Sequence, residues 1–332
     1  MNITTYDYID SNKRKTVLLI FLFPLSLLFL FVIVLYLIIS VFPELRVNNL
    51  PIFQQIFEQY WGFLLLSIGF SVLWTAIAFL EGSNIVLKMA DAEEADIQNP
   101  VYKDIKRILE NVSITAGIPT PALYILSLEP GLNAFAVGTN KNNSAVVLTK
   151  GLIETLDSSE IEAVIAHEVA HIVHQDTKLM MAITLLIGFF TLVGGFLLRS
   201  NNGRGRIKTS AKAGRGGVIL IIIGLVLYVY GTIVAPLIRL AISRTREYKA
   251  DAKSALLTRN PQALISALRK ISNRPIVSRF EDNELMSPMC IVSPLTMKVS
   301  LFDTLSNLSS THPPIEKRIE ALQVMDGQNG NL

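Results

Sequence analysis

Apolar residues are distributed along this chain in two distinct patterns. Four stretches, Thr16 to Phe42, Tyr60 to Leu80, Leu179 to Leu198 and Val218 to Leu237, run without a single charged residue. Each offers about 20 residues, enough at about 1.5 Å per helical residue to cross a hydrocarbon core of about 30 Å. The pattern predicts four transmembrane helices. Two polar regions, Glu81 to Lys178 and Arg239 to Leu332, alternate with them and are together long enough to bury one shared core.

Within the first polar region, NPVYKDIKRILENVSITAGIP places Val101, Ile105, Ile108, Leu109 and Val112 near helical spacing, and Gly117 with Pro119 ends the helix. ALYILSL, NAFAVG and SAVVLT follow as short runs rich in β-branched and aromatic residues, the last two joined by the turn-prone TNKNN, so a small sheet containing a hairpin is expected. DSSEIEAVIAHEVAHIVHQ reads as a helix opened by a capping box of Ser159 and Glu162 and buried on more than one side through Ile161, Val164, Ile165, Val169, Ile172 and Val173.

The second region opens with LIRLAISRTREYKADAKSALL, read as a helix continuing out of the fourth span. An irregular stretch, Asn273 to Ser310, comes next, and THPPIEKRIEALQVM then forms a short amphipathic helix introduced by prolines. The closing DGQNGNL is expected to be disordered.

Composition strengthens the membrane reading, because hydrophobic residues reach 51% and charged ones only 17%, against about 25% charge in soluble proteins. Lys13, Arg14 and Lys15 precede the first span, which is too long for a signal-peptide core and lacks a small-residue cleavage site, so it reads as an uncleaved anchor. The net charge of +3 owes much to Arg199, Arg204, Arg206, Lys208, Lys212 and Arg215 between the third and fourth spans. Interleaved with glycines and no aromatics, they suit lipid headgroups and not nucleic acid. The single cysteine, Cys290, excludes an internal disulfide and a cysteine-rich zinc knuckle, and reads as a small buried residue.

The candidate chemistry lies in IAHEVAHIVHQDT, which holds three of the chain's 4 histidines. His167 and His171, four apart, project from one helix face and can reach a single metal; Glu168 lies about 100° around the helix, placed to hold a metal-bound water. That is the arrangement of zinc hydrolases. His174 lies seven residues from His167, about 10.5 Å along a regular helix, which bonds of about 2.1 Å cannot span. The HExxHxxGxxH pattern is absent, so a third ligand must come from elsewhere. RTREYKADAKSA offers Glu247 and Asp251 on one helix face: one can bind metal while the other accepts the N–H of a ligand histidine.

HEVAH with Asp176 after it, a two-span hairpin, SRTREYKADAKSA and STHPPIEKRIEAL, with NAFAVG upstream and MCIVSPL downstream, resemble in order the HtpX family of bacterial membrane metalloproteases, relatives of the CAAX prenyl endopeptidases. The resemblance implies a gluzincin-like α+β zinc-peptidase domain in which His167, His171 and Glu247 bind one Zn2+ per chain and Glu168 is the general base. It also implies cleavage of misfolded or damaged membrane proteins in quality control and stress response. The edge strand for a substrate peptide maps to Asn133, Ala134, Phe135, Ala136 and on to Gly138. Asp176 either orients a ligand or caps the catalytic helix; His312 either donates to a developing oxyanion or is structural; His174 stands where relatives commonly carry asparagine.

The expected protein is thus a mainly α membrane protein. Residues 1–82 form a two-span anchor, 83–178 the first part of the peptidase domain, 179–238 a transmembrane hairpin and 239–332 the second part. The hairpin is needed to return Glu247 to the side on which His167 and His171 lie. Lys13 to Lys15 orient both polar regions to the cytoplasmic side of the bacterial inner membrane, against the bias of the basic loop at 199–215. Polypeptide substrates and the lipid bilayer are the expected partners, with no nucleic acid. The alternative is a non-catalytic membrane scaffold or transporter component with a vestigial metal site; it is disfavoured because transporters place ionisable residues within their spans.

Overall fold

The computed structural model describes residues 5–47, 50–200, 215–241, 245–273, 290–291 and 313–329. The chain divides into two compact units. One contains residues 1–16, 80–184 and 239–332, and the other contains 17–79 and 185–238.

In the second unit, α1 (Thr5–Val41) from Val17 onward is joined by α2 (Ile52–Gln59), α3 (Trp61–Leu80), the latter part of α8 (Asp176–Ser200) and α9 (Arg215–Ala241). Ile39, Ile56 and Leu64 make a small core, and Phe190 meets Phe23 and Tyr230 with ring centroids 5.6 and 4.7 Å apart. At Gly194 any Cβ would lie 2.5 Å from Tyr228 N, so glycine lets α8 and α9 approach closely. Phe21, Leu25, Phe29, Leu66 and Leu73 face outward, as lipid-facing residues do and core residues do not. Among the described residues two helices are long and apolar enough to cross a membrane, Asp10–Val41 and Trp61–Leu80, while Gly217–Gly231 is shorter. The four expected spans are therefore reduced to two that meet this test. The basic loop lies outside the described residues.

The first unit is built around α7 (Ser158–Val173). The sheet order is β1 (Glu93–Glu94), β2 (Ala122–Leu126), β4 (Asn143–Thr149), β3 (Ala134–Asn140). β2 runs parallel to β4, and β3 and β4 form the expected hairpin, with Phe135 opposite Val147. The short β1, antiparallel to β2, was not foreseen, because two glutamates carry no strand signal. α5 (Pro100–Ala116) starts on the Asn99 cap with proline at its first position and ends at Gly117 in the left-handed region (φ 69°), as its sequence predicts.

α7 is capped two residues earlier than expected. Asp157, not Ser159, is the N-cap, and Glu160, not Glu162, completes the capping box. Glu160 is buried and also accepts from Ser266 Oγ at 2.6 Å and Lys270 Nζ at 2.7 Å, which ties α7 to α11 (Pro261–Asn273). α10 (Thr245–Thr258) packs along α7 because small residues face each other, with Ala163, Ala166 and Ala170 on one helix and Ala250 and Ser254 on the other; Ser254 Oγ donates to Ala163 O at 2.7 Å. Residues 242–244 and most of 273–310 lie outside the description, so neither the expected continuity of the fourth span into α10 nor the irregular stretch enters the fold. The last helix, α12 (Ile315–Asn329), extends into the DGQN that was expected to be disordered. Its Ile315, Ile319 and Leu322 pack into the main core with the apolar residues of α5, α7, α11 and the sheet.

Candidate metal centre

α7 runs through the core with a mostly apolar buried surface, and His167 and Glu168 are its buried polar residues in the final turns. Burying them is costly unless partners compensate, and the partners come from three other elements. α10 presents Glu247, Ala250, Asp251 and Ser254, all buried at helical spacing, toward α7. α8 begins with Asp176, and α12 contributes Arg318, the largest fully buried side chain among the described residues.

His167 Nε2 and His171 Nε2 lie 3.1 Å apart, with rings nearly perpendicular at 85°. Glu247 Oε2 is 3.8 Å from the first and Oε1 3.9 Å from the second. Each imidazole turns its other nitrogen to a carboxylate: His167 Nδ1 stands 2.9 Å from Asp251 Oδ1 and His171 Nδ1 2.8 Å from Asp176 Oδ2. An ionised carboxylate only accepts, so each Nδ1 is placed to carry the proton, and in the neutral ring Nε2 then presents a lone pair. Two such nitrogens 3.1 Å apart repel unless a proton or a metal ion lies between them. Ligands of a tetrahedral zinc, at about 2.0–2.2 Å each, lie roughly 3.3–3.5 Å apart. One donor atom from each of His167, His171 and Glu247 falls within 4.8 Å of the others, so the set fits such an ion with small adjustments.

Charge gives a second test of fit. The described residues buried at the centre include four carboxylates, Glu168, Asp176, Glu247 and Asp251, and two guanidiniums, Arg246 and Arg318. Two negative charges remain, which one divalent cation neutralises. Without it, burial raises Glu168 to about 7, with Glu247 adding to the rise against the pull of His171, Arg318 and the Ala136 N–H. Burial lowers His167 to about 4 despite Asp251. His171 moves the other way: burial opposes it, but the hydrogen bond to Asp176 and the surrounding carboxylates raise it. Asp251 is held below the usual carboxylate range by Arg318 and His167 against burial, and Asp176 likewise by His171. Glu168 Oε1 is buried with no hydrogen-bond partner among the described residues. It borders a small cleft with Ala136, His171, Glu247, Met180, Cys290 and Ile291.

The structure thus brings together His167, Glu168, His171, Asp176, Glu247 and Asp251. His174, the C-cap of α7, is buried but stands outside the donor set. His312 lies outside the described residues. Asn133 just precedes β3, while Ala134, Phe135 and Ala136 lie in that outermost strand, whose Ala134 O already accepts from Ile291 N at 3.0 Å. Cys290 is buried, and burial raises its thiol far above the ordinary range.

Three contributors were not foreseen. Arg318 binds Asp251 through Nε and Nη2 at 2.8 and 2.6 Å, and donates to Ile291 O through Nη1 at 2.8 Å. A signal existed, because Arg318 shares the core-facing stripe of its helix with Ile315, Ile319 and Leu322, where a charge needs a partner. Arg246 Nε lies 3.0 Å from Glu247 Oε1 and the same side chain touches Met180 Sδ. Asn12 donates to Asp176 from a helix distant in sequence, a pairing that no local pattern marks.

A family model described as Peptidase family M48 matches residues 101–326. A Protease HtpX homolog of Dictyoglomus thermophilum is 37% identical over 324 residues, covering 97% of this chain and 95% of that protein. Proteins of the same name from Bacteroides fragilis and Streptococcus pneumoniae are each 34% identical, covering 94% and 96% of this chain and 96% and 99% of their own. Among solved structures, the crystal structure of S. mikatae Ste24p matches at TM-score 0.44 and 19% identity, over 87% of this chain and 61% of that one.

Proposed function

The chain belongs to peptidase family M48, among its HtpX proteases, and is a membrane metalloprotease; from that premise we propose that it is a zinc endopeptidase in which His167, His171 and Glu247 hold one Zn2+ and Glu168 is the general base. The scaffold alternative falls with this membership. The observation that carries the assignment is the meeting of two imidazole Nε2 atoms and a carboxylate beside a buried glutamate oxygen that lacks a hydrogen-bond partner among the described residues.

A zinc ion held there supplies Lewis acidity, acidifying a water and polarising the scissile carbonyl. Glu168 takes the proton of the attacking water and returns it to the amide nitrogen as the C–N bond breaks, so that one water is consumed and a carboxyl and an amine are released. Burial, which raises Glu168, and a bound cation, which lowers it, act in opposite directions, so the carboxylate can accept the proton and the acid then give it. Asp251 and Asp176 fix the tautomer and orientation of the two imidazoles. The β3 edge offers backbone groups to an extended polypeptide, read main chain to main chain from Ala136 outward, because the start of the strand is taken by Ile291.

The substrates are polypeptides, and we assign them to misfolded or damaged membrane proteins, the quality-control role that the resemblance to HtpX proteases implies. The finer topology proposed is four spans in the inner membrane, with α8 and α9 crossing as a hairpin and residues 83–178 and 239–332 forming one cytoplasmic peptidase domain. The test is zinc content and casein cleavage of purified wild type, Glu168→Gln and Glu247→Ala. Glu168→Gln is expected to keep zinc and lose cleavage by about 10²–10⁴-fold, while Glu247→Ala loses zinc. Full zinc occupancy in Glu247→Ala would refute the third ligand.

A further inference from the structure

Asp176 does not hold His171 unaided. Its Oδ2 accepts from His171 Nδ1 at 2.8 Å, and its other oxygen, Oδ1, accepts from Asn12 Nδ2 at 2.7 Å. The second N–H of the same amide reaches His174 O at 3.1 Å. Asn12 is 2% exposed, although Lys13 and Arg14 beside it face outward. Both acceptors sit at one junction: α7 ends at Val173, His174 caps it, Gln175 takes a left-handed conformation (φ 58°), and α8 opens at Asp176. That turn swings Asp176 back onto His171, and the Asn12 amide spans it, filling one orphan carbonyl of the helix end and one oxygen of the carboxylate.

We propose that Asn12 is a positioning residue for the metal centre, acting through Asp176, so that the first turns of the N-terminal helix set how tightly His171 holds the ion. The inference rests on the zinc reading above. The amide suits the task because both of its neighbours only accept, and its uncharged NH2 group can give two hydrogen bonds at once. Thr16, one turn further on, is also buried but donates to Asn12 O at 2.9 Å within its own helix, and so touches the site only through the helix.

The experiment measures zinc affinity of the purified full-length chain by competition with a chromophoric chelator, together with the visible spectrum of the cobalt-substituted protein. Outer partners of ligand histidines are worth about 10–100-fold in metal affinity; Asn12 acts one bond further out, and Asn12→Ala is expected to weaken zinc roughly 3–10-fold and to shift the cobalt bands. Asn12→Asp, of the same shape but without a donor, is expected to weaken it more. Asn12→Ser serves if Asn12→Ala fails to fold. Thr16→Val should leave affinity within about twofold, and in a cycle with Asp176→Asn the two losses should not add, since residues sharing one network couple. Wild-type affinity in every Asn12 variant, an equal loss in Thr16→Val, or additive losses with Asp176→Asn would each overturn the proposal. A wild-type protein that binds no zinc would instead overturn the zinc reading on which it rests.

Discussion

Replacing Arg318 by leucine tests how the centre is held together. In the wild type the guanidinium bonds both oxygens of Asp251, at 2.8 and 2.6 Å, and stands 3.6 Å from Glu247 Oε2. Leucine fills part of the space, but Asp251 then keeps only the contact of its Oδ1 with His167 Nδ1 at 2.9 Å among the polar contacts described above, and the centre carries one uncompensated negative charge even with a divalent ion present. Removing one partner of a buried, hydrogen-bonded ion pair costs about 3–5 kcal/mol. At about 2–4 °C per kcal/mol for a folded body of 150–250 residues, zinc-loaded protein in detergent should melt roughly 6–20 °C lower. The measurement is thermal unfolding followed by intrinsic fluorescence. Because the penalty comes from the stranded carboxylate, Arg318→Leu combined with Asp251→Asn should be more stable than Arg318→Leu alone. A single variant melting within about 2 °C of wild type, or a double variant no better than the single, would refute the account.

As the proposed general base, Glu168 must be ionised to accept a proton, and burial, its largest perturbation, raises it to about 7 before any cation is counted. A bound cation pulls that value down, so cleavage should be level above about pH 7 and fall only toward acid; a rate that rises as pH drops from about 8 to 5 would sink this assignment. Asp176→Asn and Asp251→Asn keep a hydrogen-bond acceptor but lose the charge facing His171 and His167, and each should weaken zinc by about 10–100-fold in chelator competition. Unchanged affinity in both would show that the ligand imidazoles need no anionic partner.

Local signals were the legible ones. Four-residue spacing put His167 and His171 on one face, and Glu247 with Asp251 on another, because helical periodicity is set by neighbours in sequence. The hairpin, the α5 stop at Gly117 and the apolar spans follow from the same short-range rules. Pairings across the chain were harder to read. The division of labour between Glu247 and Asp251 depends on which carboxylate faces Nε2 and which faces Nδ1, a matter of helix packing through Ala163, Ala250 and Ser254. Arg318 could have been suspected from its place on an apolar stripe, whereas Asn12 gave no sign, since a polar residue just before a membrane span is ordinary. The N-cap was misplaced for a subtler reason: Asp157, Ser158 and Ser159 are all good caps, and only the long-range bonds of Glu160 to Ser266 and Lys270 select the first.

The same long-range pairings explain why a helix as apolar as α7 can end in two buried ionisable groups. Each of the two proposed ligand histidines faces a carboxylate from a different element, Asp251 from α10 and Asp176 from α8, and those carboxylates are in turn bonded by Arg318 from α12 and Asn12 from α1. Four helices far apart in sequence therefore meet at two adjacent imidazoles, and among the described residues at the centre the charges balance only when a divalent ion is counted with them. Metal binding to such a set is also folding energy, because the ligands come from regions that nothing in local sequence holds together. The ion that makes the chemistry possible is thus the group that makes the polar heart of this core affordable.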